Sequence, residues 1–141
     1  MIRVVLDTNI IVSALLNPLG APAQVFSLAV DNVVQLCVCG AIYDEYEEVI
    51  RRPRLGRSEK LIAVALRVIR ENGFWVKPAR GIRACTDPDD DIFLECAQAA
   101  RADYLVTGNI KDFPSSWLQT GIVTPRRFLD ILSGEAEKVP L

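Results

Sequence analysis

The sequence predicts an α/β fold in which a central, mostly parallel sheet is covered by helices on both faces. Three observations predict it. Short apolar runs of β character alternate with helical segments, the separations have crossover length, and cap or turn residues punctuate the changes of element.

Residues 2–6 form the first strand, closed by Asp7-Thr8-Asn9, and residues 10–16 continue as a buried helix. Asn17-Pro18-Leu19-Gly20 is a turn, and Pro22 stands near the start of a second helix that runs to about Val30. Residues 33–38 predict a strand, followed by a helix over 40–52 that Pro53 stops. Ser58 caps an amphipathic helix that continues through Arg70 and ends at Asn72-Gly73. Residues 74–76 and 82–85 are short extended pieces separated by Pro78 and Gly81. Then come a helix over 89–101, a strand over 103–107, a last short strand at Ile122-Val123, and a terminal helix opened by Thr124-Pro125 and running to Leu132. No repeat or linker interrupts this order, so residues 1–132 predict one domain, with 133–141 as a loose tail.

Composition removes several kinds of chemistry. The 141 residues contain no histidine, which excludes Ser-His-Asp triads, His general acid–base catalysis and His-ligated zinc. Cys37-Val38-Cys39 lacks the C-x-x-C spacing of zinc or redox sites, and its thiols read as packing. No apolar stretch has the length of a membrane span and the N-terminus lacks a cleavable signal pattern, so the expected location is the cytoplasm.

The formal net charge is only −2, but it is unevenly placed. Residues 51–83 hold ten Lys/Arg against Glu59 and Glu71, while the rest of the chain is strongly acidic. A polyanion held by one part and cations by another would account for that asymmetry, but from charge alone a solvated helical face is the simpler account.

The acids are the informative group. In open parallel sheets, ligands bind beyond the carboxyl ends of the strands. Asp7 follows the first predicted strand, Glu45 lies in the early turns of the helix after the second, Asp87, Asp89, Asp90 and Asp91 open a later helix, and Asp112 follows the strand ending near Thr107. Four segments therefore deliver carboxylates to one edge. Two carboxylates about 4 Å apart repel by roughly 4 kcal/mol at an effective dielectric near 20, so three or four together need a cation or must protonate. Hard oxygen donors without His or Cys suit Mg²⁺ or Mn²⁺. Each acid also has a structural explanation: Asp7 as a helix cap, Asp87 to Asp91 as partners of a helix dipole, Asp112 as a loop aspartate. Asp91 falls on a polar stripe with Glu95 and Gln98, which periodicity alone leaves solvated. Glu45 stands at the border of the stripe formed by Ile42, Tyr46, Val49 and Ile50, whereas Asp44, Glu47 and Glu48 point further towards solvent.

Several stretches together resemble the PIN-domain family, particularly its VapC-like branch of toxin–antitoxin toxins. They are Val4-Val5-Leu6-Asp7-Thr8-Asn9, the run from Asp44 through Glu45 to Pro53, Asp87-Pro88-Asp89-Asp90-Asp91-Ile92-Phe93-Leu94, Tyr104-Leu105-Val106-Thr107-Gly108-Asn109 and Thr124-Pro125-Arg126-Arg127-Phe128-Leu129. The likeness runs in collinear order over about residues 1–132. It implies a three-layer α/β/α fold and a Mg²⁺- or Mn²⁺-dependent ribonuclease. By position, Asp7, Glu45 and Asp91 are the implied catalytic, metal-binding acids. Thr8, Asn9, Thr107 and Asn109 would shape their pocket, and Asp112 is the candidate fourth ligand where the family often has an acid at the position of Asn109. Arg51, Arg52, Arg54 and Arg57 are expected to steer the RNA backbone. A toxin role implies a cognate antitoxin and a homodimer. Two rival expectations are a PIN-like domain that binds RNA or protein without cutting it, and a phosphoacceptor receiver-like domain. The latter's adjacent acidic pair is missing after the first strand, where Thr8-Asn9 follows Asp7.

Overall fold

The computed structural model describes residues 1–134; the expected tail over 133–141 lies, from residue 135 onward, outside the described residues. In chain order the elements are β1 (Arg3–Leu6), α1 (Thr8–Leu16), α2 (Ala21–Val30), β2 (Gln35–Val38), α3 (Gly40–Ile50), α4 (Glu59–Asn72), β3 (Phe74–Trp75), α5 (Asp91–Ala100), β4 (Tyr104–Val106), β5 (Ser116–Trp117), β6 (Thr120–Val123) and α6 (Pro125–Leu132). Short 3-10 turns cover Pro53–Leu55, Pro88–Asp90 and Ile110–Asp112.

The strands form one sheet in the order β3-β2-β1-β4-β6-β5, parallel except for the β5–β6 hairpin. The crossover from β1 to β2 and that from β3 to β4 run in opposite directions across the sheet. Right-handed connections therefore put their helices on opposite faces, which gives the three-layer α/β/α architecture. α5 lies across β1, β2 and β4, while α1 packs on α2, and α2 on α6. Between the layers the central strands are apolar along their length, with Val4, Val5, Leu6, Leu36, Cys37, Val38, Leu105 and Val106 all buried. Such runs are expected of parallel strands covered on both sides. The four cysteines are unpaired, and Cys37, Cys39 and Cys96 are buried in this core, as packing thiols should be.

Local chemistry explains most boundaries. The Ser58 hydroxyl accepts the Leu61 N–H at the start of α4, and the Thr124 hydroxyl accepts the Arg127 N–H at the start of α6. Gly73 must be glycine because a Cβ there would stand 2.6 Å from Val38 Cγ2 and 2.7 Å from the Ile69 carbonyl. Among the described residues no single helix is long and apolar enough to cross a membrane.

One predicted extended piece is not a strand. Residues 82–85 stay out of the sheet and run as a strap along α5. The N–H groups of Ile82, Ala84 and Cys85 are taken up by side-chain carboxylates of that helix instead of by a neighbouring strand.

Candidate metal and catalytic site

Sheet register sets the site. Leu6 pairs with Val106 and Val106 with Val123, so the residues that follow these strands emerge side by side at one edge. The Asp7 N–H donates to the Val106 carbonyl at 3.0 Å, and the Thr107 N–H to the Val123 carbonyl at 2.9 Å. This lets the Thr107 hydroxyl donate to Oδ2 of Asp7 at 2.7 Å, across a sequence separation of 100 residues. Thr107 is fully buried and its oxygen in turn accepts the Asn109 N–H at 3.0 Å.

Asp7 occupies the cap position of α1 but makes no side-chain capping hydrogen bond. Its carboxylate is held by Thr107 and by the Asn9 side-chain amide, which donates to Oδ2 at 3.1 Å. Asn9 also accepts the Gly108 N–H at 3.3 Å, closing a small network around β1 and β4. Burial pushes the Asp7 carboxyl upward; the Thr107 hydroxyl and the nearby N–H dipoles of Thr8 and Asn9 offset part of that rise, and the charge of Asp112 adds to it.

Glu45 reaches the same edge from α3. Tyr46, fully buried beside it, donates its hydroxyl to the Leu6 carbonyl and fixes α3 against the end of β1. Glu45 Oε2 accepts the Thr8 hydroxyl. Its carboxyl is also raised, by burial first, against the lowering effect of Thr8 and reinforced by the charges of Asp7, Asp89 and Glu48.

The third acid differs from expectation. Asp91 is buried, but its Oδ1 accepts the N–H groups of Ala84 and Cys85 at 3.0 and 2.8 Å. Burial raises its carboxyl, yet these two bonds and the Cys85 thiol bring it below the ordinary value. Glu95, one turn later, is used in the same way: its Oε2 accepts the Gly81 and Ile82 N–H groups at 2.7 and 3.2 Å. The stripe that periodicity leaves solvated is therefore covered by the strap. Asp91 anchors backbone.

Asp90 precedes Asp91 and makes no such backbone anchor among the described residues. It ends the 3-10 turn that precedes α5, and its carboxyl is pushed up to about 7 by burial and then by the charges of Asp7, Asp87, Glu45 and Asp112. Asp112 ends its own 3-10 turn, and its carbonyl accepts the Thr86 N–H at 3.0 Å, which ties that turn to the strap. The charges of Asp7, Glu45 and Asp112 thus all act on Asp90, that of Asp112 on Asp7 and that of Asp7 on Glu45, from four separate segments. Asn109 is exposed at the rim.

These four donors are all hard carboxylate oxygens, and their mutual repulsion is what a dication relieves. Among the described residues no three acidic or cysteine side chains already converge in ligating geometry. Asp7 and Glu45 are instead held by hydroxyl partners, Thr107 and Thr8. In donor type and charge the set fits Mg²⁺ or Mn²⁺, with side-chain rotation required to close it.

The expected RNA-steering arginines divide into two pairs. Arg51 is engaged by Glu47 and Glu59, and Arg52 by Glu48 at 3.0 Å, so their charge is already matched on the surface of α3 and α4. Arg54 is exposed, and Arg57 donates only to the nearby Leu55 carbonyl, at 3.1 Å. Local i,i+4 pairing explains the difference: Glu47 and Glu48 stand one turn before Arg51 and Arg52.

Comparison with known proteins agrees with this architecture. Residues 3–111 match a family model described as PIN domain. An uncharacterized protein of Methanocaldococcus jannaschii is 28% identical over 111 residues, covering 77% of this chain and 71% of that protein.

Proposed function

Because this chain belongs to the PIN-domain family, whose members are generally nucleases, we propose that it is a divalent-metal-dependent endoribonuclease. One observation carries the reading: Thr107 and Thr8 hold the carboxylates of Asp7 and Glu45 at the carboxyl edge of the sheet, where Asp90 and Asp112 end the 3-10 turns before α5 and after β4. Asp7, Asp90 and Asp112 would hold the ion, with Glu45 beside it. When bound, Mg²⁺ or Mn²⁺ there supplies charge neutralisation and Lewis-acid polarisation of a phosphate oxygen.

The protein's own groups divide the remaining work. Thr107 and Asn9 donate to Oδ2 of Asp7 and fix the carboxylate's direction. Thr8 occupies Oε2 of Glu45, so Oε1 is available to orient the attacking water and accept its proton. Hydrolysis forms a bond from the water oxygen to phosphorus and breaks the P–O3′ bond; one product keeps a 5′-phosphate and the other a 3′-hydroxyl, whose proton comes from solvent. Arg54 and Arg57 steer the approaching backbone. The chemistry needs no histidine, in keeping with a chain that has none.

A second reading, RNA binding without cleavage, is favoured by the lack of preformed ligating geometry among the described residues. A cleavage assay separates the two. With Mn²⁺ and single-stranded RNA the wild-type protein should produce 5′-phosphorylated fragments, and Asp7→Asn should produce none while keeping its circular dichroism spectrum. Equal cleavage by both proteins would refute the nuclease assignment at this site; binding without cleavage by the wild type would favour the second reading. The toxin role extends the same proposal to a cognate antitoxin and a homodimer, tested by co-purification with the neighbouring gene's product and by light scattering.

A further inference from the structure

A cavity of about 290 Å³ lies between the start of α3, the segment that joins β3 to the strap, and α5. Its walls include Gly40 and Ala41 from α3, Lys77, Pro78 and Arg80 from that joining segment, and Ile92 and Glu95 from α5. None of these residues belongs to the carboxylate cluster, yet two walls lead directly to it. Ala41 and Glu45 are i,i+4 neighbours on α3, about 6 Å apart along its axis. Ile92 follows Asp90 by two positions, on the first turn of α5.

We infer that this cavity is the subsite for the RNA nucleotide adjacent to the scissile phosphate, with Lys77 and Arg80 as its substrate-binding residues. The inference rests on the nuclease reading and adds where the strand continues beyond the cut.

The size of the cavity is near the lower end for ligand sites, roughly 300 Å³, so it takes one nucleotide-sized group. Its lining is mixed in the way a nucleotide requires. Pro78, Ile92 and Val76 offer apolar surface to a base, and Lys77 and Arg80 offer cations to a phosphate or, for the guanidinium, a plane on which a base stacks. Both cations are exposed. Lys77 has no ion-pair partner among the described residues. Arg80 stands 3.5 Å from Glu95, but its side chain is 74% exposed and Glu95 already accepts two backbone N–H groups through its other oxygen. The contrast is with Arg51 and Arg52, whose charge is matched by three glutamates.

Gly40 supplies an independent probe. A Cβ built at this position meets no atom within 4 Å, so a side chain there extends into open space at the cavity wall without disturbing the helix.

The test measures anisotropy of a fluorescein-labelled, mixed-sequence single-stranded RNA with EDTA present, over a range of salt. The proteins are wild type, Lys77→Ala/Arg80→Ala, Gly40→Leu and Gly40→Ala. The double variant should bind at least about 10-fold more weakly, and its log K against log salt slope should flatten by about 0.7, for the one phosphate that is no longer neutralised. Gly40→Leu should weaken binding several-fold, and Gly40→Ala, too small to fill the cavity, should not. Unchanged affinity and slope in the double variant would overturn the proposal, and because both its changes are at exposed positions this result can be read even if Gly40→Leu fails to fold. An Asp7→Asn control separates the two readings. A parallel cleavage assay of the same proteins in Mn²⁺ without EDTA completes the test: abolished cleavage in Asp7→Asn alone, together with unchanged binding by the double variant, sinks the subsite alone. Weakened binding in the double variant, with no cleavage by any protein in Mn²⁺, keeps the subsite and sinks the nuclease.

Discussion

Asp91 Oδ1 accepts the Cys85 N–H at 2.8 Å, a bond that commits the most buried acid of the Asp87–Asp91 run to holding the strap. Its neighbour Asp90 is left to the carboxylate cluster. The two positions differ by one residue and should differ in kind. Asp90→Asn should lower metal-dependent cleavage by about 100-fold or more with little loss of stability, in keeping with removal of one acting acid. Asp91→Ala orphans the N–H groups of Ala84 and Cys85, which should cost about 3 kcal/mol and lower Tm by roughly 10 °C. Calorimetry beside a cleavage assay checks the pair; the opposite pattern would restore Asp91 to the site.

pH dependence follows with opposite signs for the same two residues. The Asp90 carboxyl is raised to about 7 in the folded protein, from an ordinary value of 3.8, so folding binds protons there and stability falls as pH rises from about 4 through 7. In EDTA, Asp90→Asn should therefore be more stable than wild type at pH 8, by about 1 kcal/mol after allowance for solvent screening, and lose that advantage at pH 4. Asp91 is lowered, so its contribution is present at neutral pH and is lost only as pH falls below the ordinary carboxylate range. Denaturation midpoints of the two variants across this range give the measurement.

Surface charge gives a third expectation. Arg51→Ala and Arg52→Ala should change RNA affinity little, because Glu47, Glu59 and Glu48 already match those cations. Arg54→Ala and Arg57→Ala should each weaken binding and flatten its salt dependence by roughly 0.7 in log–log slope. Filter binding at several salt concentrations distinguishes the two pairs.

The architecture was readable because it depends on features that local pattern carries. Apolar runs at β1, β2 and β4, Ser58 and Thr124 as caps, and Pro53 as a stop mark the elements within a few residues of where they lie. What pattern could not carry was the fate of residues 82–85 and the aim of α5. An extended stretch looks the same in sequence whether its N–H groups go to a strand or to carboxylates. The 3-10 turn over Pro88–Asp90 takes Asp90 off the helical wheel, so counting at 100° per residue from a helix begun at 89 says nothing of where Asp90 points. The strap also covers Asp91 and Glu95, a tertiary contact that no helical period reveals. The β5–β6 hairpin was missed for its shortness, since Ser116–Trp117 is two residues long. Glu45 was separable from Asp44 because half-burial at the border of the Ile42–Tyr46 stripe is a property of the helix itself.

The most direct measurement is isothermal titration of Mn²⁺ into wild type, Asp7→Asn, Asp90→Asn and Asp91→Asn at neutral pH. Saturable uptake by the wild type and by Asp91→Asn, with loss in Asp7→Asn and Asp90→Asn, is the expected result. A wild type that takes up no Mn²⁺, or an Asp7→Asn protein that binds it as the wild type does, would contradict a cation-dependent carboxylate site at the end of β1.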